Sequence, residues 1–504
     1  MRQIRISIIA IFSFVTFQTN AQTLNFFKEN TYNLKYNPAS EINVRQYFGI
    51  GVSHINIAAG TNLAVYDKVI TTKSDGSKEI DPKVFFKHIP KNDYGEIFAN
   101  LNLEVLGFGM RYNSKLYFTF SSQFRFENTL FMPRGLFQIA TDGNMAHIGE
   151  DMIITPQLST LFYLDNSLGF QYKINDRVTI GVRGKYLLGV LGANLKENFT
   201  LTTDDDWNLH LKGSALLNVY LPDELINTAS TSANGKYFIN DMGKLFSLGS
   251  LDWRTILGSL RNSRGGGFDI GADVKITKKL GIKASLIDMG WIKWDRNQNG
   301  SISYRAELNP DHPMYKNGEL VFDGITNSEI SYLSMGNWLD GTNLDKIRLD
   351  SVFIISEVPN ESYVTMTNPK VFVECYYELS KIHKFSAMTR MDFINKKVFP
   401  SFTLGYNLNV KKVLDIAVCY SFSKGSYANL GAGFSFNPGN VFHIYVAADN
   451  LLTVISPLKT TPNLSVQTGI YFSIPDKKTK KVKKVKEIEE VKEVKGEKDV
   501  KGEN

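Results

Sequence analysis

The last third of the chain, residues 370–473, repeats an alternation of apolar and polar residues in segment after segment. In residues 384–393, Phe385 and Phe393 fall on one face of an extended chain and Arg390 falls on the other. Successive side chains of a strand point to opposite sides, so the pattern predicts strands with one apolar and one polar face. The same pattern recurs in residues 371–379, 402–409, 414–423, 430–436, 442–449 and 466–473. Such a run is typical of a membrane-spanning β-barrel, although a soluble sandwich or barrel also alternates.

The amino terminus has the organisation of a secretory signal peptide. Arg2 and Arg5 precede an apolar stretch at residues 6–17, and small residues at 19–21 predict cleavage after Ala21. An anchoring helix is the alternative, but polar residues follow the apolar stretch at once. No other segment approaches the ~18 apolar residues that a membrane helix needs. We therefore expect an exported chain that can cross a membrane only with strands.

Seven more alternating segments precede the last third: residues 47–59, 101–112, 116–126, 160–174, 178–188, 268–276 and 282–290. Short turns follow the even-numbered strands. Longer segments follow the odd-numbered strands, at residues 60–100, 128–159, 189–267 and 291–368. Bacterial outer-membrane barrels have an even strand count, short periplasmic turns and long external loops. The sequence thus predicts an all-β fold: a transmembrane, antiparallel, up-and-down β-barrel of about 14 strands over residues 47–475, with long external segments.

The external segments carry their own predicted structure. Residues 199–203 and 207–220 predict a hairpin around the acidic run Asp204, Asp205 and Asp206. Residues 241–260 have partial helical spacing, which fits either a packed loop helix or a lid over the barrel mouth.

The carboxyl-terminal tail, residues 476–504, is low in complexity and predominantly Lys and Glu. Its apolar residues recur every three positions. Because an α-helix has about 3.6 residues per turn, residues at this spacing do not stay on one side of a helix, and no continuous apolar face forms. We predict a disordered or marginally helical periplasmic extension: a solvated tail, or a tether to peptidoglycan or a periplasmic protein. The formal net charge of +7 includes +4 from residues 477–504, which hold eleven Lys and seven Asp or Glu, and +2 from Arg2 and Arg5. The remaining body is nearly neutral, so no nucleic-acid partner is predicted.

Two cysteines, Cys375 and Cys419, are the only ones in the sequence. Alternation places Cys375 on an apolar face and Cys419 on a polar face, so a bond between them is not expected. A large barrel does not need a disulfide framework, in contrast to small secreted modules.

A turn is predicted at Asn37, Pro38 and Ala39, because proline fixes φ and biases its neighbour away from helix. The NPAS motif of residues 37–40, the strand pair of residues 266–294 and the serial hairpins of the last third together resemble an uncharacterised family of Bacteroidota outer-membrane proteins. The most specific piece is SLIDMGWIKW, residues 285–294. That family is similar to the 14-stranded long-chain fatty-acid transporter (FadL) superfamily. The resemblance covers residues 25–475. It implies that residues 22–46 plug the lumen and that a hydrophobic ligand enters from outside.

The polar face of the predicted strands collects charges of both signs in comparable numbers, which implies a wet or salt-bridged lumen. In a barrel of this size a plug is physically reasonable. Alternatively, these charges only neutralise one another across the lumen. The predicted lumen-facing residues are Arg125, Arg183, Lys185, Asp269, Asp273, Lys275, Glu374, Glu378, Arg390, Asp392, Asp415 and Asp449.

Catalytic and metal-binding patterns are weak. Residues 295–300 match the start of a calcium loop, but its twelfth position is Ala306 rather than a carboxylate, so an Asn-Gly turn explains it. Asp204, Asp205 and Asp206 form either a loose cation site or a solvated loop. The histidines have no metal-ligand spacing, and only His443, on the same face as Asp449, is a candidate for a hidden Ser–His pair. No catalytic residue, metal or cofactor is predicted.

The expected function is a channel or transporter in the cell outer membrane. Its ligand is expected to be small, and either hydrophobic or of another kind. External segments would capture the ligand, the plug would move, and release would follow through the lumen or a gap in the wall. The alternative is a non-transporting scaffold whose external segments or tail hold a secretion or surface-assembly protein. An enzyme is a distant third. Outer-membrane lipid is an expected partner in either case.

Overall fold

The computed structural model describes residues 22–28, 30–61, 63, 70–72, 78–80, 89, 93–221, 253–260, 262–294, 301–322, 352–358, 362–423, 426–452 and 463–475. Within these residues, fourteen strands form one closed antiparallel barrel. They are β1 (Val44–Thr61), β2 (Tyr94–Arg111), β3 (Leu116–Pro133), β4 (Gln157–Lys173), β5 (Val178–Lys196), β6 (Ser263–Lys275), β7 (Leu280–Trp294), β8 (Lys370–Glu378), β9 (His383–Ile394), β10 (Lys397–Val410), β11 (Leu414–Ser423), β12 (Ser426–Phe436), β13 (Phe442–Asp449) and β14 (Asn463–Pro475).

Closure comes from β1, which pairs with β2 on one side and with β14 on the other. Val44 lies opposite Pro475, and Gly60 lies opposite Asn463. Every other strand pairs with its neighbours in the chain, which leaves the barrel without a free edge. Each predicted strand corresponds to one barrel strand, so the predicted fold class and strand count are confirmed.

The barrel is apolar outside and polar inside, as β9 illustrates. Lys384, Arg390 and Asp392 are buried, whereas Phe385 and Met391 are exposed. A soluble sheet would bury its apolar face against a core. The reverse arrangement, with strands of alternating character around a closed wall, is that of a barrel surrounded by lipid.

The wall is taller on one side than the sequence predicted. Strands β1 to β5 have 17 to 19 residues, whereas β13 has 8. Since ~9–11 residues cross a bilayer, the longer strands continue the ladder beyond the apolar band. Their extra length lies at the end of the barrel with the long connections, hereafter the long-loop end. The opposite end, with the tight connections, is the short-turn end.

A cap of small elements continues the wall at the long-loop end. Its strands are Met152–Ile153, Phe199–Thr203, Leu209–Tyr220, Ser301–Leu308, Tyr315–Lys316, Glu319–Phe322, Phe353–Glu357 and Tyr363–Met366, and its helices are Arg134–Asp142, Met145–His147 (3-10) and Trp253–Ser259. Leu209 and Leu211 pair with the Phe199–Thr203 strand, which confirms the predicted hairpin. The cap has its own core, which includes Phe199, Leu201 and Leu320. A separate pair, Ile70–Thr72 and Lys78–Ile80, lies in the first long segment, and the 3-10 turn Pro438–Asn440 joins β12 to β13.

Several predictions fall outside the described residues: the signal peptide at 1–21, the calcium-like loop at 295–300 and the tail at 476–504. Of the helix predicted at 241–260, only residues 253–260 lie in a described part, and Trp253–Ser259 is helical. Across the described ranges, no helix combines the length and the apolar character that crossing a bilayer requires.

Candidate functional site: the plugged lumen

The described residues of the segment 22–43, which are 22–28 and 30–43, lie inside the barrel and form a plug. Two short 3-10 helices, Thr23–Phe26 and Thr31–Lys35, are linked by irregular chain, and most of the residues are buried. The plug contributes Leu24, Phe26 and Phe27 to a hydrophobic cluster that inward-facing residues of the wall complete. None of the described plug residues pairs in the barrel ladder. Side-chain contacts therefore hold the plug, and the wall does not depend on it for closure.

Hydrogen bonds from many strands reach the plug backbone. Gln171 of β4 donates to the Ser40 carbonyl at 2.6 Å, and Ser285 of β7 donates to the Tyr36 carbonyl at 2.6 Å. The Lys28 amide donates to Asp415 of β11 at 2.8 Å. Polar side chains of the wall thus satisfy plug backbone groups that a buried segment could not leave unpaired.

The predicted turn at Asn37, Pro38 and Ala39 is present. The Asn37 side-chain oxygen accepts from the Ala39 amide at 2.8 Å, and its carbonyl accepts from the Ser40 amide at 2.9 Å. The turn lies directly against the wall, where Gly181 leaves room: a Cβ there would lie 2.3 Å from the Pro38 carbonyl oxygen. Glycine at that position lets two backbones approach closely.

A buried ion network crosses the lumen beside the plug, centred on Asp288. Arg125 forms two contacts with Asp288, at 2.5 and 2.8 Å, in the side-by-side geometry of a bidentate pair. Lys185 lies 2.6 Å and Lys370 lies 2.8 Å from the same carboxylate. Glu127 accepts from Arg125 at 2.6 Å. Charges of both signs are matched closely, as a desolvated lumen requires.

Sequence alternation missed Asp288, the centre of this network. Strict alternation along β7 places Asp288 on the lipid face with Ile282 and Leu286. Instead, β7 has one extra residue opposite β6 between Phe268 and Ile270, and Asp288 adopts a φ of 61°. A β-bulge of this kind turns the next side chain to the other face, and Asp tolerates the left-handed region better than most residues. The sequence signal that could have revealed this bulge is a single carboxylate, Asp288, among apolar residues on the predicted lipid face.

The structure places the twelve predicted lumen residues on the inner side of the wall. Arg183 pairs with Asp269 at 2.8 Å, and Lys185 also reaches Asp269 at 2.9 Å. Glu374 pairs with Lys384 at 2.9 Å. Arg183, Lys185 and Asp269 belong to the Asp288 network, whereas Glu374 and Lys384 belong to a separate one.

Arg390 and Asp392 pair within β9 at 2.7 Å, and Asp273 accepts from the Tyr376 hydroxyl at 3.1 Å. At the short-turn end, partly exposed residues pair with the plug: Lys275 with Glu41 at 2.6 Å and Glu378 with Lys28 at 3.0 Å. Asp415 and Asp449 instead accept from plug backbone amides.

Next to the plug, a cavity of about 90 Å³ remains in the lumen. Its lining includes Tyr32, Arg125, Asp288, Lys370 and Arg390. A polar space of this size suits a few water molecules, each of which needs ~10–15 Å³ and polar partners.

The ladder between β1 and β14 is interrupted at residues 49–53 of β1. Pairing with β14 stops after Phe48 and resumes at His54, where six steps on β1 match three on β14. Pairing with β2 also shifts between Ile50 and His54. Ile50 and Val52 are 68% and 55% exposed on the outer surface, and Gly51 has a φ of 78°. This bulge breaks the ladder locally and bends the strand.

The bulge adjoins the plug through aromatic side chains. The His54 ring stacks on the Tyr32 ring with centroids 3.5 Å apart, and its Nδ1 lies 2.6 Å from the Tyr445 hydroxyl. Ser53 donates to Glu104 at 3.1 Å, and Glu104 pairs with Lys35 of the plug at 2.8 Å. The same plug segment therefore contacts both the wall break and the strand beside it.

His443 has a serine partner, but the pair lacks the other parts of a hydrolase site. Its Nε2 lies 2.7 Å from Ser473 Oγ, and the side chains are 1% and 3% exposed. Within the described residues, no carboxylate contacts Nδ1, so the acid that orients a catalytic triad is missing. A search of those residues also finds no group of three or more His, Cys, Asp or Glu that could hold a metal ion.

These features define a closed 14-stranded barrel with an amino-terminal plug and an ion-paired lumen. The chain belongs to a family of unknown function (DUF5723), whose model matches residues 38–449. No curated protein matches the sequence significantly.

Three solved structures of similar shape are distant from this chain in sequence. They include a deletion mutant of the TodX monoaromatic hydrocarbon channel, which has a TM-score of 0.43 at 9% identity over 91% of this chain and 99% of that one. The Ralstonia pickettii toluene transporter TbuX has a TM-score of 0.39 at 10% identity, with coverages of 92% and 97%. A Pseudomonas aeruginosa FadL homologue has a TM-score of 0.37 at 10% identity, with coverages of 91% and 98%. Likeness at this level supports no inference about what this chain binds.

Proposed function

We propose that this protein is an outer-membrane channel or transporter whose amino-terminal plug closes the lumen, and that it passes a small hydrophobic ligand. In this proposal residues 1–21 are removed on export, the short-turn end faces the periplasm and the cap faces outward. The apolar outer surface of the closed wall supports membrane insertion. The position of Val44 opposite Pro475 supports placing both ends of the barrel domain on the same side.

The observation that carries the proposal is the meeting of the plug with the break in the wall. Individual hydrogen bonds and ion pairs retain the plug, so it can leave without opening the barrel ladder. Tyr32 of the plug stacks on His54, which adjoins the segment of β1 that lacks its β14 partners, and Lys35 of the plug pairs with Glu104, which accepts from Ser53 in that segment. Displacement of Tyr32 and Lys35 would free that segment.

The chemistry of the two candidate exits favours the wall over the lumen for an apolar ligand. The lumen cavity is lined by Arg, Lys and Asp side chains, which would have to be left unpaired to admit a hydrocarbon. The space between the plug and the bulge has fewer charged side chains, which are Lys35, Glu104 and Arg183, and its apolar and aromatic lining includes Tyr32, Leu34, Tyr47, Phe120 and Tyr445. We therefore assign release to the gap beside β1, at the level of the apolar band.

Two measurements test the proposal. In planar bilayers, the full-length protein should show low conductance, and a variant that lacks residues 22–43 but keeps the export signal should show a large, stable one. In liposomes, uptake of toluene as the probe should require the wall break. Folding of both proteins is checked by heat-modifiable gel mobility. A folded, plug-deleted barrel that conducts no better than the intact protein would refute the plug's role.

A second candidate, a non-transporting scaffold, has one observation in its favour. The interior is densely ion-paired, and the cap has an independent hydrophobic core that could present a surface. If the scaffold is correct, plug deletion should leave toluene uptake at background, and the intact protein should recover a stoichiometric protein partner from native membranes.

A further inference from the structure

Asp449, at the end of β13, is buried and directs its carboxylate at the first residues of the plug. Its Oδ2 accepts from the Gln22 amide at 2.9 Å, and its Oδ1 accepts from the Thr23 amide at 3.0 Å. The Thr23 hydroxyl donates to Oδ1 as well. These three donors belong to two consecutive residues, and the Cys419 thiol of the wall also lies 4.0 Å from Oδ1, so the carboxylate forms a receptor for one point of the plug.

No Lys, Arg or His nitrogen of the described residues forms an ion pair with this carboxylate; Arg390, which pairs with Asp392, acts on it only from a distance. Asp269, Asp288 and Glu374, which are also buried in the lumen, each have at least one cationic partner, whereas Asp273 and Asp415 accept hydrogen bonds from a tyrosine hydroxyl and a plug amide. A buried ionised carboxylate without a countercharge is costly even when it is hydrogen-bonded. The charge balance of the lumen is therefore incomplete at the position of the Gln22 nitrogen.

The Gln22 side chain is held by separate contacts. Its Nε2 donates to Ser401 Oγ at 2.9 Å, and its Oε1 accepts from the Thr403 hydroxyl. Thr403 in turn contacts Ser421 Oγ at 2.9 Å. The wall thus recognises both the backbone nitrogen and the side-chain amide of this one residue.

We propose that Asp449 binds the α-ammonium group of the mature amino terminus, and that this ion pair locks the plug only after export processing. Hydrolysis of the Ala21–Gln22 peptide bond by a signal peptidase consumes one water. It leaves a carboxylate on Ala21 and an ammonium on Gln22. The neutral amide that faces Asp449 thereby becomes its missing cation. The inference uses the export signal of the proposed function but does not depend on transport.

The hydrogen bonds from Ser401 and Thr403 to the Gln22 side chain have a second consequence. An amino-terminal Gln can cyclise when its amine attacks the side-chain carbonyl carbon and ammonia leaves, which removes the positive charge. Ser401 and Thr403 hold the side-chain amide while Asp449 holds the nitrogen, so the two reacting groups are kept apart. The mature chain should retain an open Gln22 with a free amine.

The test uses full-length protein exported in cells and purified from outer membranes. Intact-mass analysis should show a chain that begins at Gln22 without loss of ammonia. The α-amine is then labelled with 2-pyridinecarboxaldehyde, which reacts selectively with amino-terminal amines. Native wild type should react about tenfold or more slowly than the same protein after heat unfolding, since hydrogen bonds to charged groups contribute ~1.5–3 kcal/mol.

Two variants and a matched control isolate Asp449. Asp449→Asn should remove most of the protection, and Thr23→Val, which deletes one of the three donors, should remove part of it. Asp415→Asn also alters a buried carboxylate that accepts from a plug amide, that of Lys28, but it should leave labelling at Gln22 unchanged. Equal labelling of native and unfolded wild type, a cyclised terminus, or a mature chain that starts elsewhere would overturn the proposal. Conductance is measured separately, so failure of the transport role gives a different result.

Discussion

Arg125 of β3 and Asp288 of β7 face each other across the lumen and share two hydrogen bonds, of 2.5 and 2.8 Å, although 163 residues separate them in sequence. Neither strand neighbours the other in the wall. The pair exists because a bulge in β7 turns Asp288 inward, and it anchors a network that also contains Lys185 and Lys370. It couples distant parts of the barrel beside the plug.

Replacement of Asp288 by Asn should destabilise the protein strongly. Arg125, Lys185 and Lys370 would remain buried with less compensating charge, and removal of one partner from a buried ion pair costs ~3–5 kcal/mol. We expect a clear fall in the midpoint of thermal unfolding in detergent, measured by circular dichroism. The matched control is Asp176→Asn, whose carboxylate pairs with Lys173 in an exposed turn and is 98% exposed. That change should have an effect within ~0.5 kcal/mol. Equal effects of the two changes would argue against the network.

Replacement of Gly181 by Ala should displace the Asn37–Ala39 turn of the plug from the barrel wall. The added Cβ would lie 2.3 Å from backbone atoms of Pro38, so the turn must move away from the wall. Overpacking of this kind costs ~1–3 kcal/mol. Protease cleavage within residues 22–43, followed by mass spectrometry, should accelerate. Gly184→Ala, on the same strand with nothing within 4 Å of the new Cβ, is the control and should match wild type. Similar cleavage in both variants would mean that the turn does not rest on Gly181.

Deletion of Gly51 and Val52 should narrow the break in the wall to a one-residue bulge opposite β14. Between Ile50 and His54, β1 has two more residues than the facing part of β2, so removal of two restores the β1–β2 register without reversing the faces of the strand. We expect toluene uptake by liposomes to fall while the conductance of the plug-deleted barrel is retained. Uptake that persists at the wild-type rate would place the exit elsewhere.

The cap should loosen as pH rises through the neutral range. His210 lies 3.1 Å from both Asp204 and Glu319, and these carboxylates raise its pKa above the ordinary value. A raised folded-state pKa means that protonation favours the folded form: this contribution is complete below the pKa of the unfolded chain and is lost as pH rises through the folded-state value.

Hydrogen exchange of the Leu209–Tyr220 strand, corrected for intrinsic rates, measures this effect. The increase between mildly acidic and mildly alkaline pH should be at most about fivefold, because exposed ion pairs contribute no more than ~1 kcal/mol. His210→Gln should abolish the pH dependence and leave β9 unaffected. A pH response that survives in His210→Gln would assign it to another group.

The alternation of residues such as Phe385 and Arg390 was enough to predict the fold class and all fourteen strands. A period of two is a local property of the chain, and a lipid-exposed wall imposes it on every spanning segment. The same alternation put Asp269, Glu374 and Arg390 on the polar face, where the structure has them. The turn at Asn37 and Pro38 could also be predicted from the sequence, because proline constrains the backbone locally.

Pairing, in contrast, was decided only by the tertiary structure. Which carboxylate meets Arg125 depends on strand stagger and on the curvature of the wall, and neither has a local signature. The bulges at Asp288 and at Gly51 each break the period on which the sequence argument relies, so alternation failed at the two positions where the lumen and the wall depart from a regular barrel. The contact of Gln22 with Asp449 joins opposite ends of the chain. It arises because the closed wall surrounds the plug, and no periodicity in the sequence encodes that enclosure.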